Sequence, residues 1–330
     1  MDKTSYIGID IARNKFDAVI YKKTGKPRHK VFANNLEGFT QLLQWVNTPA
    51  KNLHIGMEAT NTYWEDLAYF LKDQGSCVSV INPKCLKKYG ESQNMRCKTD
   101  KTDAAIIARY TAKEQPEAWK PQRHEERTLL LQMRQLEHMK QCEQKERVRI
   151  SMMKDAASRE VAKRIADYIQ TEIVQLEKQI AALIHADKKL NKSAQLLKTV
   201  PGIGARTLPW LVAYLGDGSR FKNGKAAATY AGLTPIKHDS GDTVAGKTKI
   251  SKIGHSEIRK AMYMPAMIYG CGRMKDGVFR AFTQRLRVNG KCSMEIITAL
   301  MRKMLCIAQA VLKSGQPFNP ELHEKSFNNA

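Results

Sequence analysis

The chain has 330 residues, which exceeds one average domain and predicts two or three domains that can each bury a core. Lysine and arginine number 55 against 32 acidic residues, so the net charge is +23, which is typical of proteins that bind nucleic acid. An anionic membrane surface is the rival partner, but we find no uninterrupted apolar run of about 18 residues and no signal peptide in the opening MDKTSYIG. Composition therefore predicts a cytosolic protein that faces nucleic acid and has no membrane partner.

The seven cysteines and eight histidines show no metal-binding spacing. The cysteines are odd in number and scattered, and no two of them form a CxxC pair. The histidines form neither HxxxH nor HExxH. This distribution argues against a disulfide framework and against zinc, and it favours reduced thiols in a cytoplasm.

The first third of the chain reads as strands followed by helices. Residues 6–10 form a short apolar run that ends in a carboxylate, and residues 15–21 alternate as a half-buried strand does. With a third strand near 29–32 they predict a meander, and the later segments predict an α/β sheet. Those later segments are helix 36–46, strand 53–57, helix 62–74 and strand 77–81.

Two acidic residues stand at the ends of predicted strands. Asp10 ends the first strand and Glu58 ends the fourth. In an α/β sheet, chemistry collects at the carboxyl ends of strands, so adjacent positions for these two strands would bring the carboxylates together.

A second acidic pair lies in RCKTDKTDA, residues 96–104, at the start of a predicted helix. Asp100 and Asp103 are three residues apart, so both carboxylates share one helix face near the positive end of the helix dipole. Four carboxylates in one crevice repel one another unless cations lie among them, so the set Asp10, Glu58, Asp100 and Asp103 implies one or two Mg²⁺ ions, with Mn²⁺ as an alternative.

Each of these acids also has an ordinary structural interpretation. Asp10 can open a loop through an Asx turn, and Glu58 can be a surface residue before a helix cap at Thr60. Asp100 can cap its helix, with Asp103 in the first turn. The conjunction of all four with the strand pattern favours an RNase H-like, RuvC-like nuclease domain.

The middle of the chain, residues 122–185, contains neither proline nor glycine. Apolar residues recur there at intervals of three and four, which is the narrow seam of a coiled coil or helical hairpin. Its basic residues could contact nucleic acid, but we weigh self-association above that. The seam residues are Leu129, Met133, Leu136, Ile165, Ile169, Ile173, Leu176, Ile180 and Leu183.

Residues 196–215, which contain VPGIG, resemble a helix-hairpin-helix. Gly202 and Gly204 would let a tight turn bring backbone amides close to a phosphate, so the motif would hold nucleic acid without reading its sequence. An ordinary turn between two helices is the alternative.

Residues 236–254 form a loop rich in glycine, hydroxyls and lysine, for which we expect no regular structure. Cations beside a hydroxyl can lower its pKa and bind a phosphate, so a serine nucleophile is chemically reasonable here. Ser240, Ser251 and Ser256 are equal candidates, and a turn role for Ser240 is the alternative. The candidate phosphate-binding cations are Lys237, Lys247, Lys249 and Lys252.

In the rest of the chain, apolar residues recur at helical spacing, which predicts helices over 255–270, 279–288 and 293–312. The segments together predict four parts, which are a RuvC-like domain over 1–115, a helical connection over 116–190, a mainly α C-terminal domain over 191–315, and a polar tail over 316–330.

Several motifs together resemble the DEDD transposases of bacterial insertion sequences, a family related to pilin-gene invertases and directed by a bridge RNA. RCKTDKTDA is close to the RxKTDxxDA signature of that family, and the resemblance spans nearly the whole chain. The other matching stretches are YIGIDIARNKFD, MEATNTY, VPGIG, YAGLTP, SGDTVAGKTKISKIGH and IRKAMYMPA.

The resemblance implies that Asp10, Glu58, Asp100 and Asp103 bind Mg²⁺ and that Ser240 is the nucleophile. It further implies strand cleavage through a covalent phosphoserine bond, exchange through a Holliday junction, and a composite site formed by two protomers. The implied partners are donor and target DNA, a structured guide RNA and further copies of the chain, which assemble from a dimer to a tetramer in the bacterial cytoplasm at the nucleoid.

Three functions compete at this point. The first is an RNA-guided recombinase that moves its own element and uses Ser240. The second is a metal-dependent, junction-resolving nuclease that needs only the carboxylates. The third is a nucleic-acid-binding scaffold without catalysis.

Overall fold

The computed structural model describes residues 4–24, 26–59, 62–93, 99–236 and 249–321, together with the backbone of 239–240 and 244–245. The chain divides into two compact units, residues 1–121 and 122–330. The four-part division expected from the sequence stays a prediction. In the described ranges, no helix combines the length and apolar character needed to cross a bilayer.

The first unit is built on a five-stranded sheet in the order β3-β2-β1-β4-β5. The first three strands are antiparallel, whereas β1, β4 and β5 run parallel. This is the mixed α/β sheet that the alternating pattern predicts. The strands are β1 Ser5–Ile11, β2 Lys15–Ile20, β3 Arg28–Ala33, β4 Leu53–Glu58 and β5 Cys77–Ile81.

Helices cover both faces of this sheet. One face buries Ile7, Ile9 and Phe16 in a core that also takes in apolar residues of α1 and α2, while α4 packs across β1, β2 and β4 on the other face. Helix α3 is absent from the sequence-based assignment, which reads Asn82-Pro83 only as the end of a strand; Asn82 instead caps a new helix by accepting from the Lys84 amide. The helices are α1 Leu36–Val46, α2 Glu65–Asp73, α3 Pro83–Ser92 and α4 Asp100–Glu114.

The second unit begins with a helical hairpin, α5 His124–Met152 and α6 Ala156–Ala186. The two helices pack along each other, and Asp155 caps α6 by accepting from the Ser158 amide. At the start of α6 the apolar seam differs from the predicted one. Ala162 and Ala166 are buried there, whereas Ile165, a predicted seam residue, is 46% exposed.

The base of this hairpin shares one core with the C-terminal helices, in which Leu129, Met133, Tyr214 and Leu300 are all buried. Helix α8 lies almost wholly inside that core, and Pro209 is accommodated in its first turn. The remaining helices are α7 Lys188–Lys198, α8 Leu208–Leu215, α9 Gly224–Tyr230, α10 Ser256–Gly270, α11 Arg280–Val288 and α12 Ser293–Ser314.

We expected no regular structure over 236–254, and this is wrong because four short strands form in and beside that segment. Two antiparallel pairs form, one between β6 Pro235–Ile236 and β9 Lys249–Ile250 and the other between β7 Asp239–Ser240 and β8 Val244–Ala245. The alternation needed to recognise them is missing because each strand has only two residues.

Candidate active site

Asp10 and Glu58 lie at the same level on neighbouring strands. The parallel register pairs Ile9 with Met57, so the next residue on each strand carries one of the two carboxylates. Both acids therefore stand at the carboxyl-terminal edge of the sheet, as the sequence predicts.

Helix α4 brings the second acidic pair to this edge. It crosses β1 so closely that a Cβ on Gly8 would lie 2.1 Å from the Ala108 amide nitrogen and 2.2 Å from the Ala104 carbonyl oxygen. Thr99 caps the helix, since its hydroxyl accepts from the Thr102 amide, and this leaves Asp100 and Asp103 in the first turn. The cap is thus Thr99 and not Asp100, which removes the ordinary interpretation of Asp100.

The electrostatics show that these carboxylates act on one another. The pKa of Asp10 is raised from its usual value to about 6. Burial is the largest cause, because it penalises the charged form, and nearby negative charges add to it. In decreasing order, those charges belong to Asp103, Asp100, Glu58 and Asp17.

Lys15 links the sheet to the first turn of α4. Its Nζ donates to Asp100 Oδ2 at 2.8 Å and lies 3.5 Å from Asp17 Oδ2. The hydrogen bond from Lys15 lowers the pKa of Asp100, so the pKa values of Asp100 and Asp10 shift in opposite directions.

Asp17 is an acid of this site that the sequence analysis missed. It is opposite Asp10 in the antiparallel register and only 4% exposed, and its Oδ1 lies 2.7 Å from His29 Nε2. The sequence period places Asp17 on the same face of β2 as Lys15 and Val19, but only the strand register places it opposite Asp10.

The donor set suits a hard divalent cation, because Asp10, Glu58, Asp100 and Asp103 all supply carboxylate oxygens. Burial and the neighbouring carboxylates both disfavour the charged form of Asp10, and a bound cation would favour it. Within the described ranges, no group of three or more His, Cys, Asp or Glu side chains is already arranged as a metal cage. The residues therefore fit a metal in charge and chemistry, and their side chains would have to converge around it.

Ser240 lies in β7 of the second unit, in register with Val244, and its side chain is outside the described residues. Lys237 and Lys247 are also outside the described residues. Lys249 is exposed in β9, and Lys252 follows with a left-handed φ of 53°. The choice among Ser240, Ser251 and Ser256, and the role of these lysines, stay predictions.

The turn at VPGIG has two different glycines. Gly202 has a left-handed φ of 87°. A Cβ added there would lie 2.8 Å from the Met304 side chain and 3.1 Å from the Tyr269 side chain, so a larger residue at this position would clash with the core. Gly204 is exposed, and a Cβ added there would meet nothing within 4 Å. Phosphate binding by their amides stays a prediction.

A second polar cluster lies among α5, α8 and α10, where its side chains are half-buried around the buried Tyr214. Arg134 donates to the Tyr214 hydroxyl at 3.4 Å and lies 3.4 Å from Glu257 Oε1. The His255 ring packs 4.9 Å from the ring of Tyr214 and 4.3 Å from that of Tyr230, and burial lowers the pKa of His255 to about 4. This cluster joins cations, hydroxyls and a carboxylate, so its charges are balanced.

Comparison with known proteins identifies both units. A DEDD-type transposase family model matches residues 7–154, and a model described as "Transposase IS116/IS110/IS902 family" matches residues 194–284. A pilin gene-inverting protein of Moraxella bovis is 41% identical over 330 residues, covering 98% of this chain and 100% of the relative. A transposase for insertion sequence element IS1328 of Yersinia enterocolitica is 23% identical over 363 residues, covering 97% and 100%. The chain therefore belongs to the IS110 family of transposases and is a homologue of the pilin gene-inverting proteins.

Proposed function

We propose that this transposase cuts and exchanges DNA strands through a serine–phosphodiester intermediate at a composite site, and that a structured bridge RNA directs it to its DNA. The observation that carries the proposal is the placement of Asp10, Glu58 and the first turn of α4 at one edge of the sheet, where burial first and the neighbouring carboxylates second raise the pKa of Asp10 to about 6. Excess negative charge at the carboxyl edge of an α/β sheet is what a phosphodiester-processing metal site requires.

We assign Mg²⁺, or Mn²⁺, to Asp10, Glu58, Asp100 and Asp103 in an RNase H-like, RuvC-like domain. The strand order and the parallel pairing of β1 with β4 support that assignment. When bound, the metal would neutralise the scissile phosphate and stabilise the charge that develops on it. Burial of Asp17 against His29 keeps β2 and β3 aligned beneath the site.

In the covalent step, the Ser240 hydroxyl oxygen attacks phosphorus. The new bond is P–Oγ, the broken bond is P–O3′, and the departing 3′ oxygen takes up a proton as the serine loses one. The reverse attack by a 3′-hydroxyl of another strand restores the serine and completes the exchange. No oxidant, reductant or nucleotide cofactor is required.

A homo-oligomer fits this division of labour, because the carboxylates and Ser240 belong to different units. The outer half of the helical hairpin supports self-association, since it exposes large apolar side chains. Met152 is 75% exposed, Tyr168 66% and Val161 48%. The net charge of +23 supports polyanionic partners, among which we place the guide RNA beside DNA.

The test is a covalent-adduct assay. The protein is expressed with the noncoding sequence that flanks its element, incubated with donor and target DNA and Mg²⁺, and run on denaturing gels. We expect a protein-linked DNA strand that disappears in Ser240→Ala and in Asp100→Asn.

Matched variants sharpen the assay. Ser251→Ala and Ser256→Ala decide among the three candidate serines, and Asp73→Asn controls for the loss of an exposed carboxylate on the same unit. Nicked DNA without an adduct, still produced by Ser240→Ala, would leave a hydrolytic junction nuclease as the function. Equal DNA binding without cleavage in every form would leave a scaffold. Omission of the flanking RNA tests guidance separately.

A further inference from the structure

The segment 22–30, which we call the basic hairpin, joins β2 to β3 at the edge of the sheet. It reads KKTGKPRHK, with five lysines and arginines, one histidine and no acid. Its cations do not belong to the carboxylate site, because β2 runs from Lys15 beside Asp100 to Ile20 at the opposite end of the strand.

The lysines of the basic hairpin are exposed and available. Lys22, Lys23, Lys26 and Lys30 are all exposed, and among the described residues none of them has an ion-pair partner. Elsewhere many cations are neutralised locally, as Lys140 is by Glu177 at 2.6 Å and Arg149 is by Glu146. A concentration of unpaired charge within one short segment points to a polyanionic partner.

The hairpin is held in place by the rest of the unit. Arg28 donates to the Trp45 carbonyl oxygen at 3.1 Å, and its guanidinium lies 5.0 Å from the centre of the Trp45 ring. Tyr21 extends the pairing of β2 with β1 by donating its amide to the Tyr6 carbonyl at 2.9 Å. These contacts hold Tyr21 and Arg28, which flank Lys22, Lys23 and Lys26 in the sequence, so the lysines start from fixed points on the sheet.

Strand β2 also sets the distance from the carboxylates. Asp17 is opposite Asp10 in the register, and Lys22 follows five residues later. At about 3.3 Å per residue, that separation is roughly 17 Å. One turn of B-DNA is about 34 Å, so this separation is about half the length of one turn and is within reach of a single duplex.

We propose that the basic hairpin is a duplex-DNA contact, which binds backbone phosphates that flank the strand held at the carboxylates. DNA is the substrate of this transposase family, and the hairpin and the carboxylates are parts of one sheet. Contact with phosphates is independent of base sequence, so the hairpin contributes affinity and register while other parts of the assembly choose the site.

Edge protection is the competing explanation for Lys30, which lies in β3, whereas Lys22, Lys23 and Lys26 precede that strand. Strand β3 is an edge strand, and natural proteins place lysine on such edges to block pairing with another chain. Charge of either sign blocks an edge equally well, whereas only positive charge binds phosphate. This difference allows the two explanations to be separated.

The experiment measures binding of the full-length protein to a fluorescent duplex of random sequence, about three helical turns long, by anisotropy over a range of salt concentrations. The test variant is Lys22→Gln/Lys23→Gln/Lys26→Gln, and the control is Lys51→Gln/Lys72→Gln/Lys113→Gln. The control removes the same charge from exposed positions scattered over the same unit.

We expect the hairpin variant to bind about 10- to 100-fold more weakly at about 0.1 M salt and to lose roughly two to three units of salt slope, since each phosphate contact contributes about 0.9. The control should change affinity less than about threefold. Equal losses in both variants would overturn the proposal, because they would show only a net-charge effect.

A charge-reversal variant and an RNA probe complete the experiment. Lys22→Glu/Lys23→Glu/Lys26→Glu reverses the charge between β2 and β3, so unchanged DNA affinity in a monodisperse protein would overturn the proposal. A structured RNA of equal length forms the other arm, and a loss confined to RNA would overturn the assignment to DNA. Because the assay needs neither Mg²⁺ nor Ser240, its failure is distinguishable from failure of the strand-exchange mechanism.

Discussion

The two polar clusters of this protein differ in how their charges are balanced. At the sheet edge of the first unit, carboxylates face carboxylates, and the pKa of Asp10 rises to about 6. In the second unit, Arg134 lies between the Tyr214 hydroxyl and Glu257, and His255 is held neutral between two aromatic rings. In the first cluster Lys15 pairs with Asp100, but the charged form of the half-buried Asp10 still opposes folding, whereas the second cluster pairs its arginine with a carboxylate and a hydroxyl. An unbalanced cluster is evidence for a ligand, and a balanced one is evidence for architecture.

The largest expected effect separates the two clusters by activity. Glu58→Gln should lower DNA strand cleavage by roughly a thousandfold or more, because it replaces one carboxylate oxygen by an amide nitrogen and removes the negative charge from one member of the strand-end pair that we propose to bind the metal. Arg134→Gln, in the second cluster, should reduce cleavage only as far as it reduces folded protein. Cleavage assays normalised to folded protein by circular dichroism provide the comparison. Similar normalised losses in both variants would show that the second cluster is also part of the catalytic machinery.

The next effect tests whether the first cluster depends on the close approach of α4. Gly8→Ala should destabilise the first unit by about 3 kcal/mol or more, because the new Cβ would overlap backbone atoms of α4. Gly90→Ala is the matched substitution in the same unit, where the nearest atom to the new Cβ would be Ile106 Cδ1 at 3.4 Å.

Gly90→Ala should stabilise α3 by roughly 0.5–1 kcal/mol through its helix propensity. Urea unfolding of both variants provides the measurement. A tolerated Gly8→Ala, with normal stability and an unchanged pKa for Asp10, would mean that α4 is not pressed against β1.

A smaller effect concerns the balanced cluster and pH. His255 has a folded pKa of about 4, below its usual value of 6.5, so the unfolded chain binds the proton first. Its contribution is fully present above about pH 6.5 and is lost as the pH falls toward 4, which at about pH 4.5 amounts to about 2 kcal/mol. Hydrogen exchange in peptides from α8 and α10 should show this loss, and His255→Gln should flatten it. An unchanged pH slope in His255→Gln would assign the acid sensitivity to another group.

The sequence alone predicts those parts of the candidate site that follow from the periodicity of strands and helices. The strand pattern places Asp10 and Glu58 at strand ends, and the structure sets β1 beside β4 so that both acids lie at one edge. The helical pattern places Asp100 and Asp103 in the first turn of a helix, where Thr99 supplies the cap. These features follow from local patterns and from the rule that chemistry collects at the carboxyl ends of strands.

Long-range pairing explains what the sequence does not reveal. Asp17 becomes part of the site only through the register of β1 with β2, which places it opposite Asp10. The break between α5 and α6 contains neither glycine nor proline, so the composition of 122–185 gives no position for it. The exposed Ile165 and buried Ala166 show that a stripe of large residues does not locate a seam when small residues allow closer packing.

The smallest expected effect is the most direct test of imbalance at the first cluster. The folded pKa of Asp10, about 6, lies above its usual value of 3.8, so the neutral acid is favoured on folding and the charged form opposes it. The penalty is absent at about pH 4 and below, grows as the pH rises, and is complete above about pH 6.

Asp10→Asn removes the charge and should therefore stabilise the first unit at about pH 7.5 by about 1 kcal/mol, a value discounted for the partial exposure of Asp10, while it abolishes cleavage. Urea unfolding in EDTA at about pH 7.5 and about pH 4 provides the measurement, with the exposed Glu117→Gln as the control. A gain at the higher pH that vanishes at the lower one is the signature of a carboxylate held against its own electrostatics for a ligand. A loss of stability at both pH values would mean that Asp10 has a structural role, and the contrast between the two clusters would fail.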